Sequence, residues 1–342
     1  MGLKFKDIVV KKEIAIKDLK DKVLAVDSMN LLYQFLTTIR GADGTALTDS
    51  KGRVTSHLIG LFNRTTSLME QGLKLVFVFD GKAPDIKKKT WEKRTAVKKE
   101  AALKLKEAEE AQDLAAMKKF ASRTVVLDKE MIEDAKKIIT ALGLPIVQAP
   151  SEGEAQTAYM VKKGDAYASI SQDYDNLIFS CPLLVRNLSI AGKRKRAGKF
   201  AFVTVKPESI SLQEVLEHLD LEIDQLIVLA ILVGTDYNPG GVKGIGPKKG
   251  LKLVKEHGNN FDLIFKEAGW DDELDWKDIF NTIKELPTTD DYELKWKKID
   301  EQALVKLLVT EYDFSEERVK SKLDKLNKVQ DNLKQKGLGS FF

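Results

Sequence analysis

Two short apolar runs, each followed directly by an aspartate, most constrain what this chain can fold into. Val23-Leu-Ala-Val precedes Asp27, and Leu75-Val-Phe-Val-Phe precedes Asp80. Runs of this length that are rich in Val and Phe are typical of buried strands. Further strands are expected at 144–148, 167–171 and 183–188. Helices are expected at 55–70, 129–142, 152–163 and 222–233. This alternation predicts an α/β fold with a central, mostly parallel sheet.

Five further acids complete a candidate cluster of carboxylates. Two lie in Ser151-Glu152-Gly-Glu154, two in Ser171-Gln-Asp173-Tyr-Asp175, and one in Gly234-Thr-Asp236-Tyr. Ligands of an open parallel sheet bind in the crevice outside the carboxyl ends of the strands, so acids that end several strands would converge there. Two unit charges about 4 Å apart repel by roughly 4 kcal/mol at an effective dielectric constant of about 20, so such a cluster needs a positive partner.

The chemistry of these acids indicates which partner that is. Oxygen ligands without His or Cys suit hard cations such as Mg²⁺ or Mn²⁺, and the set therefore predicts a two-metal phosphodiesterase. Two simpler interpretations stay open. Ser151 and Glu154 also fit a capping box that begins the helix 152–163. An acid after a strand is often only a turn residue.

Composition excludes several other classes of protein. The 342 residues contain 56 Lys and Arg against 52 Asp and Glu, a mild net charge of +4, so any signal for nucleic acid must come from the distribution of charge. The one cysteine, Cys181, allows no internal disulfide, which suits a reducing compartment. The three histidines are far apart and offer no zinc spacing. We expect no signal peptide and no membrane span.

The segment 82–123 differs from the rest in charge. Between Lys82 and Lys106 it contains ten basic residues and three acids, and it predicts a helix after Pro84. It is either a solvated surface helix or a basic arch that grips phosphates above the acidic cleft, and its position directly after Asp80 favours the arch. Lys87 and Arg94 would then lie near one face, about 10 Å apart along the helix axis.

Two stretches near the C-terminal end predict binding surfaces. Gly244-Ile-Gly246-Pro, followed by Lys248 and Lys249, opens a helix as the turn of a helix–hairpin–helix does. Its backbone could approach a DNA phosphate closely, although a glycine-rich surface turn remains the alternative. Residues 261–312 predict helical packing without chemistry, and 315–336 a charged helix. The exposed apolar residues at the end of the polar tail predict an anchor for a hydrophobic pocket on a partner.

Taken together, these motifs resemble the structure-specific 5′ nuclease family, and in particular its archaeal flap endonucleases. The resemblance covers nearly the whole chain. It rests on Val26-Asp27-Ser-Met-Asn, Phe77-Val-Phe-Asp80-Gly-Lys-Ala-Pro, Ala149-Pro-Ser-Glu152-Gly-Glu154-Ala-Gln, Ser171-Gln-Asp173-Tyr-Asp175, Gly234-Thr-Asp236-Tyr and Gly244-Ile-Gly-Pro-Lys. The tail Gln335-x-x-Leu338-x-x-Phe341-Phe342 is similar to the peptide with which such proteins bind the sliding clamp PCNA.

The resemblance implies a domain organisation. A single PIN-like nuclease domain would occupy 1–330, followed by a clamp-binding tail at 331–342. Within the domain, the implied parts are an N-terminal nuclease region, a basic helical arch, an internal nuclease region, a helix–hairpin–helix and a helical C-terminal region, at 1–81, 82–123, 124–236, 237–260 and 261–330.

The resemblance also implies an activity: cleavage of 5′ flaps, together with 5′–3′ exonuclease activity, during Okazaki-fragment maturation and DNA repair in an archaeal cytoplasm. A monomer recruited by PCNA would act on branched DNA. The acids that would bind or organise two Mg²⁺ ions, with Mn²⁺ as an alternative, are Asp27, Asp80, Glu152, Glu154, Asp173, Asp175 and Asp236.

Other residues carry implied roles through the same resemblance. Lys87 and Arg94 would contact the scissile phosphate and act in catalysis with Asp173. Tyr33 would stack on a base, and Gly2 would lie near the active site. The residues implied in contacts with duplex DNA are Gly244, Gly246, Lys248 and Lys249, and those implied in contacts with the clamp are Gln335, Leu338, Phe341 and Phe342. A PIN-type ribonuclease and a non-catalytic, clamp-bound DNA scaffold are the competing hypotheses.

Overall fold

The structure, a computed structural model, describes residues 3–41, 44–111, 113–121, 124–190, 192–195 and 202–339. Its strands are β1 Lys12–Glu13, β2 Val23–Asp27, β3 Lys74–Phe79, β4 Ile146–Gln148, β5 Ala168–Ile170, β6 Leu183–Arg186, β7 Gly192–Lys195, β8 Phe202–Val205 and β9 Glu208–Ser211. Its α-helices are α1 Ser28–Thr38, α2 Ser56–Glu70, α3 Lys88–Glu110, α4 Leu114–Ala121, α5 Lys129–Ala141, α6 Gly153–Lys163, α7 Leu212–Leu219, α8 Ile223–Val233, α9 Pro247–His257, α10 Phe261–Ala268, α11 Trp276–Glu285, α12 Glu301–Val305 and α13 Glu316–Gly339. Short 3₁₀ turns occupy Ile16–Leu19, Asp85–Lys87, Asp175–Leu177 and Leu188–Ile190, and a π-helical turn occupies Lys306–Glu311.

Seven strands form one sheet in the order β1-β9-β6-β5-β2-β3-β4. The five strands from β6 to β4 are parallel to one another, whereas β9 and β1 are antiparallel at one edge. The predicted α/β fold with a mostly parallel sheet is therefore confirmed. Because parallel strands end at the same edge of the sheet, the acids that follow β2, β3 and β5 are brought to one side of the molecule.

Helices cover the sheet and divide its core into three hydrophobic clusters. The first lies under α1, α2 and α5 and includes Leu61 and Phe77. The second is built around α8 and includes Leu229, which is fully buried as the apolar composition of that helix predicts. The third lies under α6 and includes Val76 and Ala158. The sheet and the first turns of α1 and α6 are thereby held rigidly at the edge where the acids meet.

The basic segment is helical, as predicted. The 3₁₀ turn Asp85–Lys87 leads into α3, which packs against α4. Its hydrophobic contacts are few, and the described side chains buried along α3 are Thr90, Ala101 and Ala108. Within the described part of the chain, no helix combines the length and the apolar composition needed to cross a membrane.

The glycine-rich stretch also opens a helix. Gly246 is the N-cap residue of α9, Pro247 is its first helical residue, and Gly244 has a φ of +80°. This left-handed backbone conformation is readily adopted by glycine, which has no Cβ to clash. The region 261–312, in contrast, is only partly helical, because residues 286–300 have no regular secondary structure.

Candidate metal centre

Asp27 is held at the end of β2 by two hydrogen bonds. It is the N-cap residue of α1, and its carboxylate accepts a hydrogen bond of 3.1 Å from the backbone N–H of Asn30. The Ser171 hydroxyl donates a second hydrogen bond of 3.1 Å. The aspartate is 3% exposed. The carboxylate is thus both buried and oriented before any ligand binds.

The carboxylates after β5 are anchored in the same way. Asp173 accepts a hydrogen bond of 2.7 Å from the side-chain amide of Asn30, and Asp175 accepts one of 2.8 Å from the backbone N–H of Leu3. Oxygen atoms of Glu154, Asp173 and Asp175 lie within 4.8 Å of one another, which is a spacing that could hold a metal ion. These three carboxylates form the tightest part of the cluster among the described residues.

The start of α6 brings two more acids to the same place. Glu152 is the N-cap residue, and Glu154 lies in the first turn. The capping box proposed for Ser151 and Glu154 is wrong, because Glu152 is the N-cap residue and its side chain makes no capping hydrogen bond. Instead, the backbone N–H of Gly153 donates to Asp80 at 2.8 Å. A Cβ on Gly153 would lie 2.7 Å from this carboxylate oxygen, so the close approach requires glycine.

Lys87 places a positive charge inside the cluster. Its Nζ lies 2.6 Å from Oε1 of Glu152 and 3.6 Å from Oδ2 of Asp236. The ammonium also lies 5.1 Å from the centre of the Tyr237 ring. Burial alone would lower the pKa of Lys87, but the neighbouring carboxylates outweigh it and raise this pKa. The lysine therefore stays charged and offsets part of the repulsion.

Burial, and after it the repulsion between the carboxylates, raises the pKa values of the acids. Burial, followed by the charge of Asp80, raises the pKa of Asp27 to about 7. Burial and the charges of Asp236 and Asp173 raise the pKa of Asp175 to about 8. Burial and Asp175 raise the pKa of Glu154 well above its usual range. One lysine does not neutralise this cluster of acids. Near neutral pH the cluster therefore favours bound protons or further cations.

The residues present fit divalent metal ions. All the clustered ligand atoms are carboxylate oxygens, which Mg²⁺ and Mn²⁺ prefer. The hydroxyls of Ser28 and Ser151, which are adjacent in sequence to two of the acids, are buried without a hydrogen-bond partner in the described structure. Such buried hydroxyls could accept hydrogen bonds from metal-bound water.

The structure thus brings all seven predicted acids into one electrostatically coupled group. Tyr33 is 36% exposed on α1, and the Lys98 ammonium of α3 donates a hydrogen bond of 3.1 Å to its hydroxyl. Lys248 and Lys249 are exposed in the first turn of α9.

Other predicted residues are placed only by their position along the chain. Arg94 lies in α3, and Gln335 and Leu338 lie in α13. Gly2, Phe341 and Phe342 lie outside the described residues. The roles expected of the residues in this paragraph and of the seven acids stay predictions.

Sequence reasoning missed several residues that support the cluster. Asn30 contacts two of the carboxylates, and its position three residues after the N-cap Asp27 was the available signal. Tyr237 follows Asp236 directly and is 3% exposed, with its hydroxyl near Glu152. Leu3 gave no signal, because its contribution is a backbone N–H brought from the distant N-terminal segment.

Comparisons with known proteins agree with this architecture. The XPG N-terminal domain matches residues 3–101, and the XPG I-region matches residues 143–236. The chain is 52% identical over 342 residues to flap endonuclease 1 of Pyrococcus abyssi, which covers 100% of this chain and 98% of the relative. The identity to flap endonuclease 1 of Thermococcus onnurineus is 50%, over 100% of this chain and 99% of the relative.

Solved structures give the same result. The flap endonuclease-1 from Methanococcus jannaschii superimposes with a TM-score of 0.76 at 42% identity, covering 97% of this chain and 99% of the other. The catalytic core of Rad2 in complex with DNA substrate shares the fold, with a TM-score of 0.71 at 23% identity and coverage of 95% and 100%. With full-length identity of about one half to its relatives, this chain belongs to the archaeal flap endonuclease 1 family.

Proposed function

We propose that this chain is a structure-specific 5′ flap endonuclease that hydrolyses DNA phosphodiesters with two divalent metal ions. The observation that carries the proposal is the group of seven carboxylates with Lys87 among them, at the carboxyl edge of a parallel sheet. Full-length similarity to flap endonuclease 1 of several organisms supports the choice of substrate. A non-catalytic protein has no need to keep such a cluster of buried charge.

The acids would hold the metal ions. Glu154, Asp173 and Asp175 are the nearest together and form the first candidate site. The other acids, Asp27, Asp80, Glu152 and Asp236, would complete the pair of sites directly or through water. When bound there, two such ions would supply an activated water and stabilise charge on the leaving oxygen.

Lys87 would bind the scissile phosphate. Its ammonium already lies among the acids, and it sits at the start of the arch. Arg94, seven residues further along, would bind the same phosphate group from the next part of the helix. Both cations would neutralise charge that grows on the phosphate oxygens in the transition state.

The other contacts with DNA would recognise the shape of the junction and not its base sequence. Gly244, Gly246, Lys248 and Lys249 would hold the duplex by its phosphate backbone. Contacts of this kind do not depend on the base sequence. The terminal nucleotides must unpair to reach the acids, at a cost of about a few kcal/mol. Stacking on the exposed ring of Tyr33 would offset part of that cost.

The cellular role follows from this activity. As a monomer in the archaeal cytoplasm, the enzyme would remove 5′ flaps and act as a 5′–3′ exonuclease in Okazaki-fragment maturation and repair. The tail residues Gln335, Leu338, Phe341 and Phe342 would bind PCNA and so bring the enzyme to its junctions.

A cleavage assay tests the proposal. Labelled 5′-flap DNA, single-stranded DNA and single-stranded RNA are incubated with the protein in EDTA, Mg²⁺ or Mn²⁺. We expect cleavage of the flap substrate at the junction that depends on divalent metal. Preferred cleavage of RNA would instead support a PIN-type ribonuclease. Binding of flap DNA without cleavage in either metal would support a scaffold.

A further inference from the structure

Residues 286–300, which we call the strap, connect α11 to α12 and contain no helix or strand. The strap follows α11, which packs into the second hydrophobic cluster through Ile279 and Ile283. Tyr292 and Leu294 then pack against the third cluster, under α6. Ile299, near its end, packs against the first cluster. The strap therefore contacts two of the three hydrophobic clusters, and α11 before it contacts the other.

Backbone and side-chain hydrogen bonds fix the far part of the strap to the sheet and to α5. The Trp296 indole N–H donates to the carbonyl of Leu75 in β3 at 3.1 Å. The backbone N–H of Lys297 donates to the carbonyl of Gly143 at 2.8 Å. The two segments are so close that a Cβ added to Gly143 would lie 2.2 Å from the carbonyl oxygen of Lys297. The strap thus follows one fixed path.

At its near end, the strap is tied to α6 through one buried side chain. The Gln156 amide donates to the carbonyl of Thr289 at 2.9 Å and accepts from the backbone N–H of Thr289 at 2.8 Å. Gln156 is 0% exposed. Both ends of its amide are therefore satisfied by the backbone of a single residue, and a replacement without an amide would leave the N–H and carbonyl of the half-buried Thr289 without these partners.

Besides the apolar packing of Tyr292 and Leu294, the other contacts between side chains of α6 and the strap are polar and lie at the surface. The Tyr159 hydroxyl donates to Asp290 at 2.9 Å, and the Lys163 ammonium lies 2.8 Å from Asp290. Exposed pairs of this kind contribute little to holding two elements together, because water screens them. Among the described residues, Gln156 is accordingly the buried polar side chain that links α6 to the strap, alongside the apolar packing of Tyr292 and Leu294.

Gln156 lies one turn after the acids at the start of α6. Its backbone N–H donates to the carbonyl of Glu152 at 3.1 Å. On the opposite side, the buried Asn176 amide donates to the carbonyl of Glu154 at 3.1 Å and to the Thr157 hydroxyl at 2.9 Å. The first turn of α6 is thus clamped between Asn176, next to Asp175, and the strap.

We propose that Gln156 is a positioning residue, through which the strap holds the carboxylates of Glu152 and Glu154 in the geometry that binds metal. The inference rests on the proposed function of the acids as metal ligands. Because the strap continues from α11, which packs on α8, the same connection also ties these two acids to Asp236 at the end of α8. Groups that orient metal ligands without touching the metal commonly affect how tightly the metal binds.

Binding of Mn²⁺ in the absence of DNA tests the inference. Free Mn²⁺ is measured by electron paramagnetic resonance in titrations of the wild type, Gln156→Met and Tyr159→Phe at 25 °C, with melting temperatures recorded in parallel. We expect Gln156→Met to weaken Mn²⁺ binding about 10-fold, at the lower end of the range for supporting residues. Tyr159→Phe, which removes one surface hydrogen bond between α6 and the strap, should leave the affinity unchanged.

The outcomes separate the inference from the proposed function. A lower melting temperature with unchanged Mn²⁺ affinity in Gln156→Met overturns the inference, because Gln156 then supports stability only. A wild type that binds no Mn²⁺ rejects the proposed metal function itself. If Gln156→Met does not fold, Gln156→Asn decides, since it keeps a neutral amide but is one methylene too short to reach both the N–H and the carbonyl of Thr289. Its affinity should also fall, and an unchanged value overturns the inference.

Discussion

The acidic cleft and α3, the proposed basic arch, differ in how their side chains are held. In the cleft, Asp27, Asp173 and Asp175 each accept hydrogen bonds from neighbouring groups of the fold. On the arch, Val97 is 58% exposed and Leu103 is 64% exposed. The cleft is therefore organised by the protein alone, whereas the arch has little core of its own and would gain its contacts from phosphates. Changes in the cleft should alter chemistry, and most changes on the arch should alter only binding.

The largest effect is expected when one carboxylate of the cleft is neutralised. Asp173→Asn should lower the single-turnover rate of flap cleavage by at least about 10³-fold, because a charged group at the reacting centre is lost. Junction binding, measured by fluorescence anisotropy, should change little. Asp262→Asn, an exposed acid paired with Lys277, is the matched control and should cleave normally. An active Asp173→Asn enzyme would contradict the assignment of the cleft.

Lys87 tests whether one residue of the arch belongs functionally to the cleft. Lys87→Ala should slow single-turnover cleavage by about 10²-fold at saturating DNA, because the lysine would stabilise the transition state. Lys104→Ala, which removes an exposed arch lysine paired with Glu100, is the control and should affect only affinity. If Lys87→Ala instead changes only the salt dependence of binding, Lys87 is a simple phosphate contact.

Stability against pH should distinguish the cleft from the arch in metal-free protein. The folded-state pKa values of Asp27 and Asp175 are raised to about 7 and about 8, so the folded state holds protons that the unfolded state has released. Stability should therefore fall as pH rises from about 4 to about 8, with a loss of about 5 °C or more in melting temperature. Mg²⁺ should reverse the loss, because it binds the folded state.

Asp175→Asn and Lys104→Ala serve as the paired variants for this measurement. The first removes one raised pKa and should flatten the profile recorded by differential scanning calorimetry in EDTA. The second changes only an exposed pair and should keep the profile of the wild type. A melting temperature of the wild type that is independent of pH between 4 and 8 would contradict the charge balance derived for the cleft.

The smallest effect on chemistry is expected from the tail, which is part of neither region. Removal of 335–342 should leave the cleavage rate on flap DNA within about 2-fold of the wild type and abolish stimulation by PCNA, since the tail would anchor only the clamp. Steady-state assays with and without PCNA measure both. Replacement of Lys328 by Ala, in the same helix α13 but before the tail, is the control. Stimulation that survives the truncation would reject the tail as the anchor.

The parts of the cleft that could be predicted are those that depend on regular geometry. Asp27 and Asp80 follow apolar strands, and parallel strands necessarily present their ends together. The contact of Lys87 with Glu152 could not be predicted, because it depends on how the turn Asp85–Lys87 folds back over the sheet. The failed capping box at Ser151 has a similar cause, since a local pattern does not reveal that the helix begins one residue later, at Gly153, whose N–H donates to the distant Asp80.

The strap shows the same limit on a larger scale. The sequence predicts helical packing over residues 261–312, yet residues 286–300 have no regular secondary structure. Their path is determined by single contacts with distant residues, such as Gln156 with Thr289 and Trp296 with Leu75. Such contacts leave no periodic pattern in the sequence, because no repeating face of the segment is buried.

The pairing of Lys87 with Glu152 has a consequence for how the enzyme discriminates among ligands. The Lys87 ammonium is not free and hydrated, because it forms an ion pair with Glu152 at 2.6 Å. A phosphate that enters the cleft must therefore replace this carboxylate. The exchange of one anion for another involves little new dehydration of the lysine, so the net gain depends on what the released glutamate then binds. Phosphate and divalent ion should consequently favour each other's binding, and neither alone should open the pair.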